Sequence, residues 1–148
     1  MNFKLLRLSI PFVWFGAVCA ISFMEAPLKF QAPGITVELG LGIGRLVFQV
    51  LNKIEVALAL LLLASLICSK PKFNLLSSLF AIVLAILFIQ TVWLLPALDA
   101  RAAALLNGDP QSPSHLHIIY IFADSVKVIL LFAVGMLGLG GVLKENAD

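Results

Sequence analysis

Apolar residues in this chain run in long uncharged blocks. No charge falls between Arg7 and Glu25, none from Val56 to Ser69, and none between Lys72 and Asp99. A fourth apolar segment starts near Ser114 and ends near Leu143. A membrane helix needs about 20 mostly apolar residues. Residues 8–26, 45–69, 73–96 and 114–143 meet that length. The pattern predicts an all-α polytopic membrane protein, an up-and-down bundle of four transmembrane helices forming a single domain. Pro71 separates the second span from the third, because a helix interior holds proline only at high cost. Asn107, Gly108, Asp109, Pro110 and Pro113 make a turn-rich loop before the fourth span. There Ser112 and Pro113 fit the cap and first position of a helix.

The polar residues within these blocks are patterned too. In the second span Arg45, Gln49, Asn52 and Glu55 trace one helical stripe beside Lys53, and in the fourth His117, Tyr120, Asp124 and Lys127 trace another. The first span ends in Ser22, Glu25 and Lys29, the third in Gln90 and Trp93. Counting about 20 residues outward from the basic residue at each inner end places every stripe at the outer edge of the hydrocarbon layer. The midplane is then apolar in all four spans, unlike a transporter that binds substrate there at broken helices. Glu25, Glu55 and Asp124 can be set against Arg45, Lys53 and Lys127. Such pairs either lock helix register or form a pocket. Asp124 can also pair with Lys127 one turn along its own helix, and Trp93 fits an aromatic belt.

Charge placement gives an orientation. Lys4 and Arg7 precede the first span, Lys70 and Lys72 join the second and third, and Lys144 follows the fourth. All lie on one side of a four-span chain, which the bias of Lys and Arg in short loops makes the cytoplasmic side. Both termini are therefore expected inside. A signal sequence is the rival for the first span, with small residues around Ala17 to Ala20; its cleavage would leave three spans.

Composition agrees with a membrane protein. The 148 residues are 61% apolar and 12% charged, against about 45–50% and about 25% in soluble domains; mean hydropathy is +1.09. Disordered, collagen-like and disulfide-scaffold classes fall at this point. A net charge of +2 provides no strong basic patch, so no nucleic-acid partner is expected. Cys19 and Cys68 form no C-x-x-C and read as small inert thiols.

Few motifs carry chemistry. His115 and His117 are two apart and face different ways on a helix, so they cannot share one metal. His117 with Glu55 and Asp124 is an incomplete ligand set for a metal or haem. No metal ligands are assigned, and the cofactor stays open. Gly40, Gly42 and Gly44 follow no strand and suit a bending loop before the second span. Gly135, Gly138, Gly140 and Gly141 give the fourth span a face for close packing, within the chain or against another copy or complex partner. The segment from Ala26 to Gly34, with Pro27, Pro33, Leu28 and Phe30, suits a lid on the outer mouth. Asp99 to Leu106 suits a short helix that continues the third span or rests on the surface.

The stretches Phe23-Met-Glu-Ala-Pro-Leu-Lys-Phe30, Ile43-Gly-Arg-Leu-Val-Phe48 with Asn52-Lys-Ile-Glu55, and Leu116-His-Ile-Ile-Tyr120 with Lys127 resemble small four-helix bacterial inner-membrane proteins, a loose group that includes DoxX-like and anthrone-oxygenase-like families. The resemblance implies an up-and-down four-helix fold in a bacterial inner membrane, and no residue role is carried over with it. The expectation from the residues is an outward-facing pocket in which Glu25, Arg45, Asn52, Glu55, His117, Asp124 and Lys127 bind, or help transport, a small polar ligand or proton. A membrane oxidoreductase using haem, metal or quinone is one alternative. A structural or accessory subunit of a membrane complex is the other.

Overall fold

A computed structural model describes residues 3–67, 75–109 and 112–145. Cys68, Lys70, Pro71, Lys72 and Pro110, and the expected span limits at 69 and 73, lie outside the described residues. Every element within them is helical. Four helices are long and apolar enough to cross a membrane: Leu5–Gln31, Val37–Leu66, Leu75–Leu106 and Leu116–Leu143. Only 22–28% of each hydrophobic window is buried within the chain. The remaining apolar surface calls for lipid, and the helix is the form that satisfies its backbone there. The protein is an integral membrane protein built as an all-α four-helix bundle.

The helices form a closed ring in which the first packs on the second and fourth, and the third on the second and fourth. Paired positions show that neighbours are antiparallel. Leu8 meets Gly138 while Phe12 meets Gly135, and Asn52 bonds Thr91 while Arg45 bonds Asp99. An apolar core fills the half of the bundle nearer the first helix's N-terminal end. Ile10, Trp14 and Val18 pack there with Ala59, Leu62, Phe80, Val83, Leu87 and Leu131.

Several boundaries differ from the expected ones. The second helix starts at Val37, not near 45, and its first turn is capped by the Thr36 hydroxyl, which accepts from Leu39 N–H at 3.2 Å. Gly40 and Gly44 are therefore helical instead of forming a bend. Their missing side chains make room for the Phe30 ring and the Lys29 ammonium of the first helix. Residues 26–31 likewise continue the first helix as a short α-turn and a 3-10 turn, so the expected lid is a wall. The connection turns at Gly34, whose φ of +80° suits glycine. The fourth helix starts at Leu116, two residues beyond Ser114, whose hydroxyl accepts from Leu116 N–H at 3.2 Å. Ser112 is thus not the cap. Residues 99–106 do continue the third helix.

Two of these helices change pitch inside. Cys19–Glu25 and Gln90–Leu94 are π-helical, and each lies just before a proline, Pro27 or Pro96. A proline ring clashes with the carbonyl four residues back and removes a donor. Widening the preceding turn relieves that conflict without ending the helix.

The glycine face of the fourth helix divides. Gly135 receives the Phe12 ring and Gly138 the Leu8 side chain, whereas Gly140 and Gly141 have open space among the described residues. Gly135→Leu is expected to lose about 1–3 kcal/mol through overpacking, and Gly141→Ala to hold stability or gain up to about 1 kcal/mol of helix propensity. Reversible unfolding in mixed micelles measures both.

Candidate functional site

The site grows from four residues that stand on three helices. Lys127 of the fourth helix is fully buried, and its ammonium has three N–H groups to place. They go to Glu55 Oε1 at 2.5 Å, Asp124 Oδ1 at 2.9 Å and Gln90 Oε1 at 2.6 Å. Glu55 comes from the second helix, Gln90 from the π-turn of the third, and Asp124 from one turn earlier on the fourth. The first helix adds Trp14, whose indole Nε1–H donates to Glu55 Oε1 at 2.7 Å. Gln90 closes the network by donating from Nε2 to Asp124 Oδ1 at 2.8 Å. All four helices thus meet in one buried polar cluster. Within it Glu55 Oε2 and Asp124 Oδ2 have no hydrogen-bond partner.

Beyond the cluster the bundle opens into a cavity of about 620 Å³. Its deep end is lined by Ser22, Phe48, Leu95, Tyr120 and Asp124, and its outer end by Lys29, Phe30, Arg101, Leu116 and His117. The walls between are mostly aliphatic or aromatic, including Phe23, Leu41, Leu98 and Leu105. Phe48 and Tyr120 stack edge to face at 5.4 Å. Lys29 lies over the Phe30 and Phe48 rings at 5.6 and 5.5 Å, a position in which ring faces attract a cation. It also reaches Glu25 at 3.4 Å. Arg45 grips Asp99 through two parallel bonds of 2.7 and 2.9 Å, with Gln49 adding a third at 3.1 Å; planar bidentate pairing of this kind is both strong and directional. Arg101 donates to the Ser112 carbonyl.

The seven residues expected in the pocket therefore separate. Asp124 belongs to both cluster and cavity, Glu55 and Lys127 to the cluster behind it, and Arg45 and His117 to the cavity wall. Asn52 instead ties the second helix to the third, donating to the Thr91 hydroxyl at 2.8 Å, and Glu25 stands outside the cavity lining, partnered only by Lys29. Lys53 is exposed and faces away from the acids it was set against. Trp14 and Asp99 are structural members that the pattern of spans did not single out. Among the described residues no group of three His, Cys, Asp or Glu side chains is placed to hold a metal ion. Between Glu55 and Asp124 stands the Lys127 ammonium.

Along the helices, Gln90 falls at the centre of a 32-residue helix, and Glu55 about one turn past the middle of a 30-residue one. Near the cavity-lining residues, Met24, Leu28, Ile43, Leu46, Ile118 and Phe122 are exposed apolar side chains. The cavity therefore has an apolar exterior as well as largely apolar walls.

Comparison with protein-family models, with curated proteins and with solved structures gives no match for this chain.

Removing one partner of a buried ion pair leaves an uncompensated charge and typically costs about 3–5 kcal/mol. Lys127→Met is expected to lose that much, while the triple change Glu55→Gln, Asp124→Asn, Lys127→Met recovers a large part of it. Unfolding of the two variants in the same micelles tests this; equal losses would mean that the charges do not act as a unit.

Proposed function

We propose that the protein is a ligand-binding membrane protein whose outward-facing cavity takes a small amphipathic molecule, for binding or assisted transport. The observation that carries this reading is the cavity itself: about 620 Å³, with apolar walls, cations at its outer end and the buried Asp124 behind its deep end. Ligand sites have this form, mostly apolar with a few placed polar groups. A purely polar ligand would leave its own groups unpaired against Phe23, Leu41 and Leu98, so an apolar body with a polar head fits better. Lys29, Arg45 and Arg101 stand against Glu25 and Asp99 around the outer half, a surplus of one cation, which favours a neutral or anionic head.

In this reading both termini face the cytoplasm of a bacterial inner membrane and the cavity faces the other side. The supporting pattern is that of the basic residues. Lys4, Arg7, Lys70, Lys72 and Lys144 mark the inner side in sequence, whereas Lys29, Arg45 and Arg101 on the outer half each have a local partner. The antiparallel helix order is also what a DoxX-like or anthrone-oxygenase-like architecture implies. The open Gly140 and Gly141 leave room on the fourth helix for a second copy or a complex partner.

Thermal unfolding in lipid nanodiscs with n-decanoate, n-decanol and n-decylamine tests the cavity. A ligand that binds only the folded state adds about 2.7 kcal/mol at roughly a hundred times its Kd. Decanoate and decanol are expected to raise Tm by several degrees and decylamine by less. Ala102→Trp, which plugs the wall, is expected to abolish the differences. Equal shifts in wild type and the plugged variant would reduce the effect to partition into lipid and defeat the proposal.

A further inference from the structure

We propose that Glu55, Asp124 and Lys127 form a proton-binding site that holds one proton at rest and exchanges it with the outer cavity through Asp124. This goes beyond the ligand reading, since it requires the cavity as a route but no ligand in it.

The argument starts from charge count. Two carboxylates and one ammonium leave the cluster with one negative charge in excess, and the side chains of Glu55, Asp124 and Lys127 are all fully buried. The groups that face them supply no second cation. Trp14 comes from the first helix, Asn52 from the second, Gln90 and Thr91 from the third, and Tyr120 from the fourth, one turn before Asp124. An isolated charge out of water is costly, and a buried acid avoids it by taking a proton. One proton makes the cluster neutral.

Hydrogen bonding shows where that proton can sit. Glu55 Oε1 accepts from Trp14 and Lys127, and Asp124 Oδ1 accepts from Gln90 and Lys127. The other oxygen of each carboxyl, Glu55 Oε2 and Asp124 Oδ2, is buried without a partner among the described residues. An oxygen that already accepts two donors has no place for a further hydrogen, whereas a bare one does. The pair therefore offers two seats for one proton, on either side of the ammonium. Only Asp124 of the two lines the cavity. Ser22 of the first helix also lines the cavity, and its hydroxyl is likewise buried without a partner among the described residues. Of the two acids Asp124 is the nearer to the cavity, its carboxyl covered by the side chains at the deep end, and Glu55 stands behind it. Protonation converts one carboxylate to the acid and leaves the other paired with Lys127; deprotonation returns the charge to the cluster.

Infrared spectroscopy of the full chain in nanodiscs at neutral pH reads the proton directly. The wild type is expected to show a protonated-carboxyl band that shifts in heavy water. Either Glu55→Gln or Asp124→Asn removes it, because the remaining carboxylate and Lys127 are neutral together without a proton. Lys127→Met instead enlarges the band about twofold. Should that variant not fold, the wild type and the two amide variants, which keep acceptor oxygens for Trp14 and Lys127, suffice. A wild type without the band overturns the proposal, as does a band that survives in both amide variants. Ala102→Trp keeps the band but slows its shift in heavy water; an unchanged rate overturns the route through the cavity. A missing band beside intact decanoate stabilisation defeats this proposal alone, and a present band without stabilisation defeats only the ligand reading.

Discussion

The buried ammonium of Lys127 is the constraint on which the bundle depends. Helices in lipid gain little from burying apolar side chains against one another, since the tails are as apolar as leucine. Register must come from close packing and from polar contacts. Here Lys127 binds Glu55 of the second helix and Gln90 of the third, while Trp14 of the first reaches Glu55. Sliding any helix by one turn, about 5.4 Å, would break a bond that no water replaces. The Arg45–Asp99 and Asn52–Thr91 pairs fix the second and third helices a second and third time, nearer the outer end.

What the cluster fixes, the prolines shape. Gln90 is part of the π-turn that precedes Pro96, and that turn presents its amide to both Lys127 and Asp124. The corresponding turn in the first helix, before Pro27, contains Ser22 and Phe23 of the cavity wall. Widened turns inside α-helices commonly sit at functional sites; here the first borders the cavity and the second supplies Gln90 to the cluster behind it. Glycine works in the same place: a Cβ at Gly40 would strike Phe30, and one at Gly44 would come within 3.0 Å of the Lys29 ammonium. The half around the cavity is thus assembled from residues that let unlike elements approach closely, as Gly135 and Gly138 do for Phe12 and Leu8 in the other half, where Phe80, Leu62 and Leu131 fill the space between helices.

The four spans were legible because their signal is long and uniform: an uncharged apolar block has few other uses. The stripe at 117, 120, 124 and 127 was legible for the same reason, since helical spacing alone brings these side chains to one face. What pairing each charge would find was not. Spacing within a helix predicts the Asp124–Lys127 contact but says nothing about rotation between helices, so Lys53 and Lys127 looked equally suited to Glu55. Only the bundle turns one outward and the other inward. Trp14 was hidden because an aromatic residue in an apolar span carries no mark of the polar atom at its tip. Helix ends were displaced because proline and glycine, normally breakers, are tolerated in membrane helices. That tolerance lengthened the first three helices.

Those lengths bear on what kind of device this is. The cavity reaches inward as far as Asp124 and Tyr120, and there the polar cluster closes it. Beyond Glu55 the bundle is filled by Ile10, Leu62, Phe80, Val83 and Leu131, all buried. Inward from the open end of the cavity there is therefore a polar floor, formed by the cluster, and behind it a dry apolar layer. A conduit would need polar groups or space through that layer, whereas a binding site needs only the floor. The same layer explains how the floor can hold an ion cluster at all: with water excluded on one side and apolar walls on the other, the attraction among Glu55, Asp124 and Lys127 is screened little. One-sided access and strong internal pairing thus arise from a single arrangement, an open half of the bundle set on a closed one.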